Sequence, residues 1–206
     1  VARTKERPLA AQRISPQAAK GLLLGLLILS LLLAMQLNLL ALQLSVVGAF
    51  LAVTYPFTKR FVHWPQFYLG AAFGGGVIVA WGATRSDLVL EAWLLFAATL
   101  TWAAAYDTVY ALMDIEDDLR IGVKSTAILF GRWAIPIVAA LYLLTLGLLS
   151  VVGWRLHFGQ FFYAVLLMAA GQMVWQIRAA RRGEHLAAFL SNKWLGALIL
   201  VGFVLG

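Results

Sequence analysis

The sequence predicts an all-α fold, a polytopic bundle of membrane-spanning helices. Three observations carry that prediction: an apolar composition, helix-length apolar windows that recur along the whole chain, and a one-sided placement of Lys and Arg. Of the 206 residues 63% are hydrophobic and only 12% charged, and the mean hydropathy is +0.87. A water-soluble domain of this length is far less apolar. Cysteine is absent, which removes disulfides and thiolate metal sites from consideration and leaves the redox compartment undetermined.

A bilayer core demands about 20 mostly apolar residues per helix, and seven such windows follow one another. The first, 21–38, begins after the basic stretch ending at Lys20, and the second, 39–57, closes at Tyr55-Pro56 before Lys59 and Arg60. The third, 66–83, follows Trp64 and carries Gly70, Gly74, Gly75 and Gly76, which would let it approach a neighbouring helix closely. The fourth, 88–111, runs into an acidic cluster, and the fifth, 128–153, follows Arg120 and Lys124. The sixth, 159–177, stops before Arg178, and the last, 194–206, is short enough to predict a clipped C-terminus. Trp64, Trp81, Trp154 and Trp194 fall near window ends, where indole rings favour the headgroup zone. Arg13 and Lys20 ahead of an apolar run resemble a signal peptide, but a small-residue cleavage site is missing and the run leads directly into another.

Alternating the sides of successive loops tests the segmentation independently. Fourteen of the sixteen Lys and Arg fall on one face, leaving Arg85 and Arg155 on the other. That is the pattern of the positive-inside rule, so the basic face is expected to be cytoplasmic. The net charge of +7 is then chiefly a topology signal with some attraction to anionic lipid, and nucleic acid is not an expected partner.

Chemistry is expected in one place. Five of the nine acidic residues, Asp107, Asp114, Glu116, Asp117 and Asp118, lie within twelve positions at the end of the fourth window. On a continuous helix, at ~100° per residue, Asp107, Asp114 and Asp118 project within a ~40° arc with Tyr110 beside them. Like charges one turn apart repel, and a carboxylate at membrane depth costs about 2.5–3.5 kcal/mol on insertion scales. A hard divalent cation would resolve the conflict, and oxygen ligands without His or Cys favour Mg²⁺ bridging carboxylates to a phosphate-bearing substrate. Glu116 reads as part of a solvated loop. Asp107 does not, because apolar stretches flank it on both sides. Lys59, Arg60, Lys124 and Ser125 offer cationic and hydroxyl partners for phosphate, although each base also serves as a topology marker.

The run from Tyr106 to Gly131, with Asp107, Asp114-Ile-Glu-Asp-Asp118 and Lys124-Ser-Thr126 inside it, closely resembles the second aspartate-rich motif of the UbiA-type intramembrane prenyltransferases, in particular their 4-hydroxybenzoate branch. The resemblance extends over the chain, through Arg3-Thr4, Arg7-Pro8-Leu9, Tyr55-Pro-Phe-Thr-Lys-Arg60 and Leu69-Gly-Ala-Ala-Phe-Gly74. It implies a single transmembrane prenyltransferase domain over 1–206, with about seven of the family's nine helices. The first two helices and the first aspartate-rich motif are expected upstream of Val1. Gln12 departs from the family, which often has Gly there.

The resemblance also implies the roles. Asp107, Asp114 and Asp118 would be catalytic, with Asp114, Asp117 and Asp118 holding Mg²⁺. Lys59, Lys124, Arg3, Arg7, Tyr55 and Ser125 would bind the diphosphate of a polyprenyl diphosphate; Arg60, whose planar fork suits a carboxylate, could alternatively take the carboxylate of 4-hydroxybenzoate. Product would feed ubiquinone synthesis at a bacterial inner membrane, with the site facing the cytoplasm, and the 206 residues alone are expected to be inactive. A cation-coupled transporter would also bury carboxylates in a bundle, but near the midplane rather than toward one face.

Overall fold

The computed structural model describes residues 6–206, which are helical almost throughout. Ten α-helices follow in order: α1 Pro16–Ala34, α2 Leu39–Thr58, α3 Pro65–Arg85, α4 Leu90–Ala111, α5 Ile115–Ile121, α6 Thr126–Phe130, α7 Ala134–Arg155, α8 Gln160–Arg181, α9 His185–Leu190 and α10 Asn192–Leu205. Each of the seven predicted windows coincides with a helix or a helix pair. The first lies earlier than expected because Ser15 caps α1, accepting the Ala18 N–H, and Pro16 occupies the first turn, where its missing N–H costs nothing.

One window is subdivided. The fifth becomes α6, a 3₁₀ turn at Gly131–Trp133, and α7. Gly131, at φ 50°, supports the backbone conformation that ends α6, and Pro136 sits in the first turn of α7, the part of a helix that tolerates proline. The last window corresponds to α10 alone; the short α9, which no window covered, precedes it with a break at Ser191.

Among the described residues six segments are long and apolar enough to cross a membrane, one fewer than the seven windows. The exception is α4, 22 residues long, and its place in the bundle explains the shortfall in hydropathy. It packs between α3 and α7, with α9 across its end. Ten of its residues are buried, among them Thr101, Asp107 and Thr108. A helix surrounded by protein can carry polar groups that a lipid-facing helix cannot. By contrast α1 has no buried residue, and it displays Leu22, Leu23, Leu24 and Leu33, an apolar surface suited to lipid or to another membrane helix.

Connections meet in two zones, one at each end of the bundle. At one end Asn38 caps α2 by accepting the Ala41 N–H and donates to the Gly82 carbonyl oxygen at 2.7 Å, while Arg155 donates to Glu91 at 2.6 Å. At the other, the Lys124 N–H donates to the Lys59 carbonyl oxygen at 2.9 Å. The helices therefore alternate in direction and gather the basic loops at one end, as the charge pattern requires. The glycine-rich face of α3 is used in part. A Cβ on Gly70 would lie 2.5 Å from the Leu100 carbonyl oxygen of α4, whereas Gly76 faces open space. Of the four tryptophans near window ends, Trp64, Trp154 and Trp194 are exposed, but Trp81 turns inward, with its Nε1 buried and without a partner among the described residues.

Candidate active site

The acidic cluster sits at the basic end, and its backbone differs from the expected continuous helix. After Ala111 the hydrogen bonds shorten their span: Met113 N–H reaches the Tyr110 carbonyl and Asp114 N–H the Ala111 carbonyl. This tight turn ends α4, and the chain restarts as α5 with Asp114 at its N-cap position, φ −109° and ψ 4°. The single carboxylate stripe is thereby corrected to two groups. Asp107 stays on α4, and Asp114, Asp117 and Asp118 sit on the N-cap and first turn of α5, where the helix dipole favours negative charge.

Asp107 is 9% exposed. Lys59, at the C-cap of α2, is the cation whose field reaches its carboxylate, and Tyr55, Tyr106 and Tyr110 share the same electrostatic neighbourhood. The Lys59 Nζ stands 5.8 Å from the centre of the Tyr55 ring, within cation–π range. Asp114, Asp117 and Asp118 are each half-buried. Asp117 lies 3.8 Å from Arg120, which also approaches exposed Glu116 at 4.0 Å; ion pairs this exposed contribute little. Among the described residues no three His, Cys, Asp or Glu converge closely enough to hold a metal ion by themselves.

Not every expected diphosphate ligand reaches the acids in the same way. The Lys124 Nζ donates to the Phe61 carbonyl oxygen at 3.1 Å, tying its loop to the α2–α3 connection. Ser125 is 2% exposed, and its hydroxyl accepts the Ile128 N–H as the cap of α6, which is a structural task. Arg60 and Arg7 are exposed and Tyr55 is half-buried. Arg3 lies outside the described residues.

Beside the aromatic face of α4 lie two partly open pockets. A cavity of about 430 Å³ is lined by Phe73, Thr99, Trp102, Tyr106 and Phe189 among others. A second, of about 240 Å³, continues it through the shared Thr99 and Trp102 toward Leu149, Ile199 and Phe203. Both walls are apolar. Along α4 the aromatic rings of Trp102, Tyr106 and Tyr110 recur one turn apart, and Phe189 of α9 packs on them, 5.8 Å from Tyr106 and 4.5 Å from Tyr110 between ring centres. Asn192 anchors α10 to this wall by accepting the Trp102 Nε1–H at 2.9 Å. The spacing of Trp102, Tyr106 and Tyr110 was a readable signal of an aromatic face. Phe189 carries none, since its partners are remote in the chain.

Comparison with known proteins agrees with this architecture. Over 208 residues the chain is 50% identical to 4-hydroxybenzoate octaprenyltransferase of Azotobacter vinelandii, covering 100% of this chain and 70% of that protein. It is 46% identical to the protein of the same name from Thiobacillus denitrificans, covering 71% of it. The structure of a UbiA homolog from Aeropyrum pernix K1, in its apo form, superposes with a TM-score of 0.88 at 26% identity, over 100% of this chain and 78% of that one. A digeranylgeranylglyceryl phosphate synthase structure, 22% identical, shares the fold with a TM-score of 0.71 over 98% of this chain and 73% of that one. With the UbiA prenyltransferase family model matching residues 1–205, the chain belongs to that family of multi-pass membrane enzymes.

Proposed function

We propose that the protein transfers a polyprenyl group from polyprenyl diphosphate to the ring carbon ortho to the hydroxyl of 4-hydroxybenzoate, in ubiquinone synthesis, at the cytoplasmic face of a bacterial inner membrane. The observation that carries this reading is the placement on α4 of a buried carboxylate, Asp107, beside an aromatic wall leading into an apolar cavity, with Lys59 at the end of α2 on the same side. A diphosphate needs the charged end, and an isoprenoid tail needs the apolar one.

Asp114, Asp117 and Asp118 are the residues that would hold Mg²⁺. As half-buried oxygen donors they suit a hard ion in kind, and since no three carboxylates converge among the described residues, diphosphate oxygens and water would supply the rest of the shell. When bound there, such an ion would neutralise negative charge on the leaving diphosphate. Lys59 and Lys124, with Arg7, add positive charge on the same side, and Tyr55 lines the approach. The allylic C–O bond breaks with its electron pair going to diphosphate, and the ring's π electrons form the new C–C bond before a ring proton is lost. Asp107 and the faces of Tyr106, Tyr110 and Phe189 stabilise the positive charge that develops at the allylic carbon. The apolar walls keep water from capturing it. Arg60, whose planar fork matches a carboxylate, holds the acceptor acid.

The test uses the full-length protein in membranes, supplied with radiolabelled 4-hydroxybenzoate, a polyprenyl diphosphate and Mg²⁺. Prenylated product is expected from the native protein and a loss of at least a hundredfold in Asp114→Ala. Transfer that survives Asp114→Ala unchanged would remove the acidic cluster from the mechanism.

A further inference from the structure

The two connections that bear the site's charges are irregular segments, and what holds them together is a small buried network. One connection, residues 59–64, carries Lys59 and Arg60; the other, residues 122–125, follows the acids of α5 and carries Lys124. Two hydrogen bonds join them directly, from the Lys124 N–H to the Lys59 carbonyl at 2.9 Å and from the Lys124 Nζ to the Phe61 carbonyl at 3.1 Å. Both lie at the surface side of the junction. Beneath them is Gln66, in the first turn of α3 and wholly buried. Its Oε1 accepts the Thr126 N–H at 2.9 Å. Thr126 meets Thr108 of α4 hydroxyl to hydroxyl at 2.6 Å, and Thr108 donates its proton to the Ala104 carbonyl. Thr126 is therefore the donor between the two hydroxyls, because each has a single proton. The chain of bonds runs from α3 through the start of α6 to α4.

Gln66 is an uneconomical way to fill space. Its Nε2 is buried with no hydrogen-bond partner among the described residues, a cost that an apolar side chain of similar size would avoid. What only the amide oxygen provides is a fixed acceptor for the first N–H of α6, and thus a fixed register between the two charged connections. Resting on the function proposed above, we propose that Gln66 is a positioning residue: it sets the loop of Lys59 and Arg60 against the loop that follows Asp114–Asp118, so that cations and carboxylates address the same diphosphate.

Two substitutions cut the same bond from opposite sides. Gln66→Met removes the acceptor. Thr126→Pro removes the donor, and the backbone suits it, since Ser125 is extended (φ −153°, ψ 161°) as a residue before proline must be, and Thr126 is the first residue of α6. Thr126→Val, which keeps the N–H and loses the hydroxyl, is the control. In the full-length protein, spin labels on Phe61→Cys and Ile121→Cys, both exposed, report the distance between the loops without reference to catalysis; the 206 residues contain no native cysteine to interfere.

The expected result is a narrow distance distribution in the native protein and in Thr126→Val, and a broadened one in Gln66→Met and Thr126→Pro. The latter two should also show a donor KM raised roughly tenfold, and a raised acceptor KM as well, because Arg60 rides on the displaced loop. A narrow distribution in whichever of Gln66→Met and Thr126→Pro folds, or equal broadening in Thr126→Val, overturns the proposal. Absence of prenyl transfer in the native protein would instead defeat the functional reading, and the label distances would still decide the positioning role.

Discussion

Gln12 occupies the left-handed region at φ 55°, the conformation that glycine adopts without penalty and that costs other residues about 1–2 kcal/mol. Its N–H still reaches the Leu9 carbonyl at 3.2 Å, so the turn forms despite the side chain. The departure from a family glycine that the sequence displays at this position thus has a backbone meaning. Gln12→Gly is expected to stabilise the protein by about 0.5–1 kcal/mol, the relief of strain being partly offset by the greater freedom of glycine in the unfolded chain, and a higher midpoint in detergent melting would register it. A lower midpoint would show that the Gln12 side chain contributes more than its backbone costs. Arg60 makes the complementary case for side-chain geometry. Exposed at the α2–α3 connection, it has the planar fork a carboxylate prefers, which lysine lacks. Arg60→Lys should raise the KM for 4-hydroxybenzoate about tenfold or more and leave that for the polyprenyl donor nearly unchanged, by steady-state assay in membranes. A change confined to the donor would move Arg60 to the diphosphate.

The contact between α3 and α4 decides how well Asp107 is held, and two glycines of α3 separate close approach from mere smallness. Gly70→Ala would drive a methyl to 2.5 Å from the Leu100 carbonyl oxygen and 3.1 Å from its Cα. These are backbone atoms that cannot swing aside, so a loss of about 1–3 kcal/mol is expected. Gly76→Ala meets nothing within 4 Å and should be neutral or slightly favourable, since alanine is the better helix former. Comparing the two variants' melting in detergent distinguishes a packing requirement from a general preference for small residues. The same contrast shows what the sequence discloses. Apolar windows and loop charges identified the helices because each reports on lipid and water, which every residue meets independently. Four glycines in one helix announced a close contact but not which of them makes it, for that depends on rotation against α4. The turn at Leu112–Asp114 was hidden for a related reason: it contains neither Gly nor Pro, so nothing local marks where α4 stops, and a stripe of three carboxylates was read across a break. Gln66 was beyond reach altogether, because its partner Thr126 is 60 residues away.

For the molecule as a whole, the distribution of charge and the distribution of function point to the same membrane face. Exposed leucines on α1 and exposed Phe50, Leu143 and Leu167 on other helices give the described perimeter an apolar surface suited to lipid or to further helices. Among the described residues the charges gather instead at the two ends of the bundle. One end holds Arg85 and the Arg155–Glu91 pair; the other gathers Lys59, Arg60, Lys124 and the acids of α5. Because translocating Lys and Arg is disfavoured, this second end should face the cytoplasm, where a water-soluble aromatic acid and Mg²⁺ would both be at hand. Single-cysteine variants test the orientation directly, the 206 residues having no native cysteine. Asp87→Cys lies at the first end and Leu119→Cys on α5 at the second, and both positions are exposed. A membrane-impermeant maleimide should label Asp87→Cys in intact spheroplasts and Leu119→Cys only in inverted vesicles. The opposite pattern would place the acidic cluster outside the cell, away from a cytoplasmic supply of both substrates, and the proposed reaction would then have to be abandoned even with the fold intact.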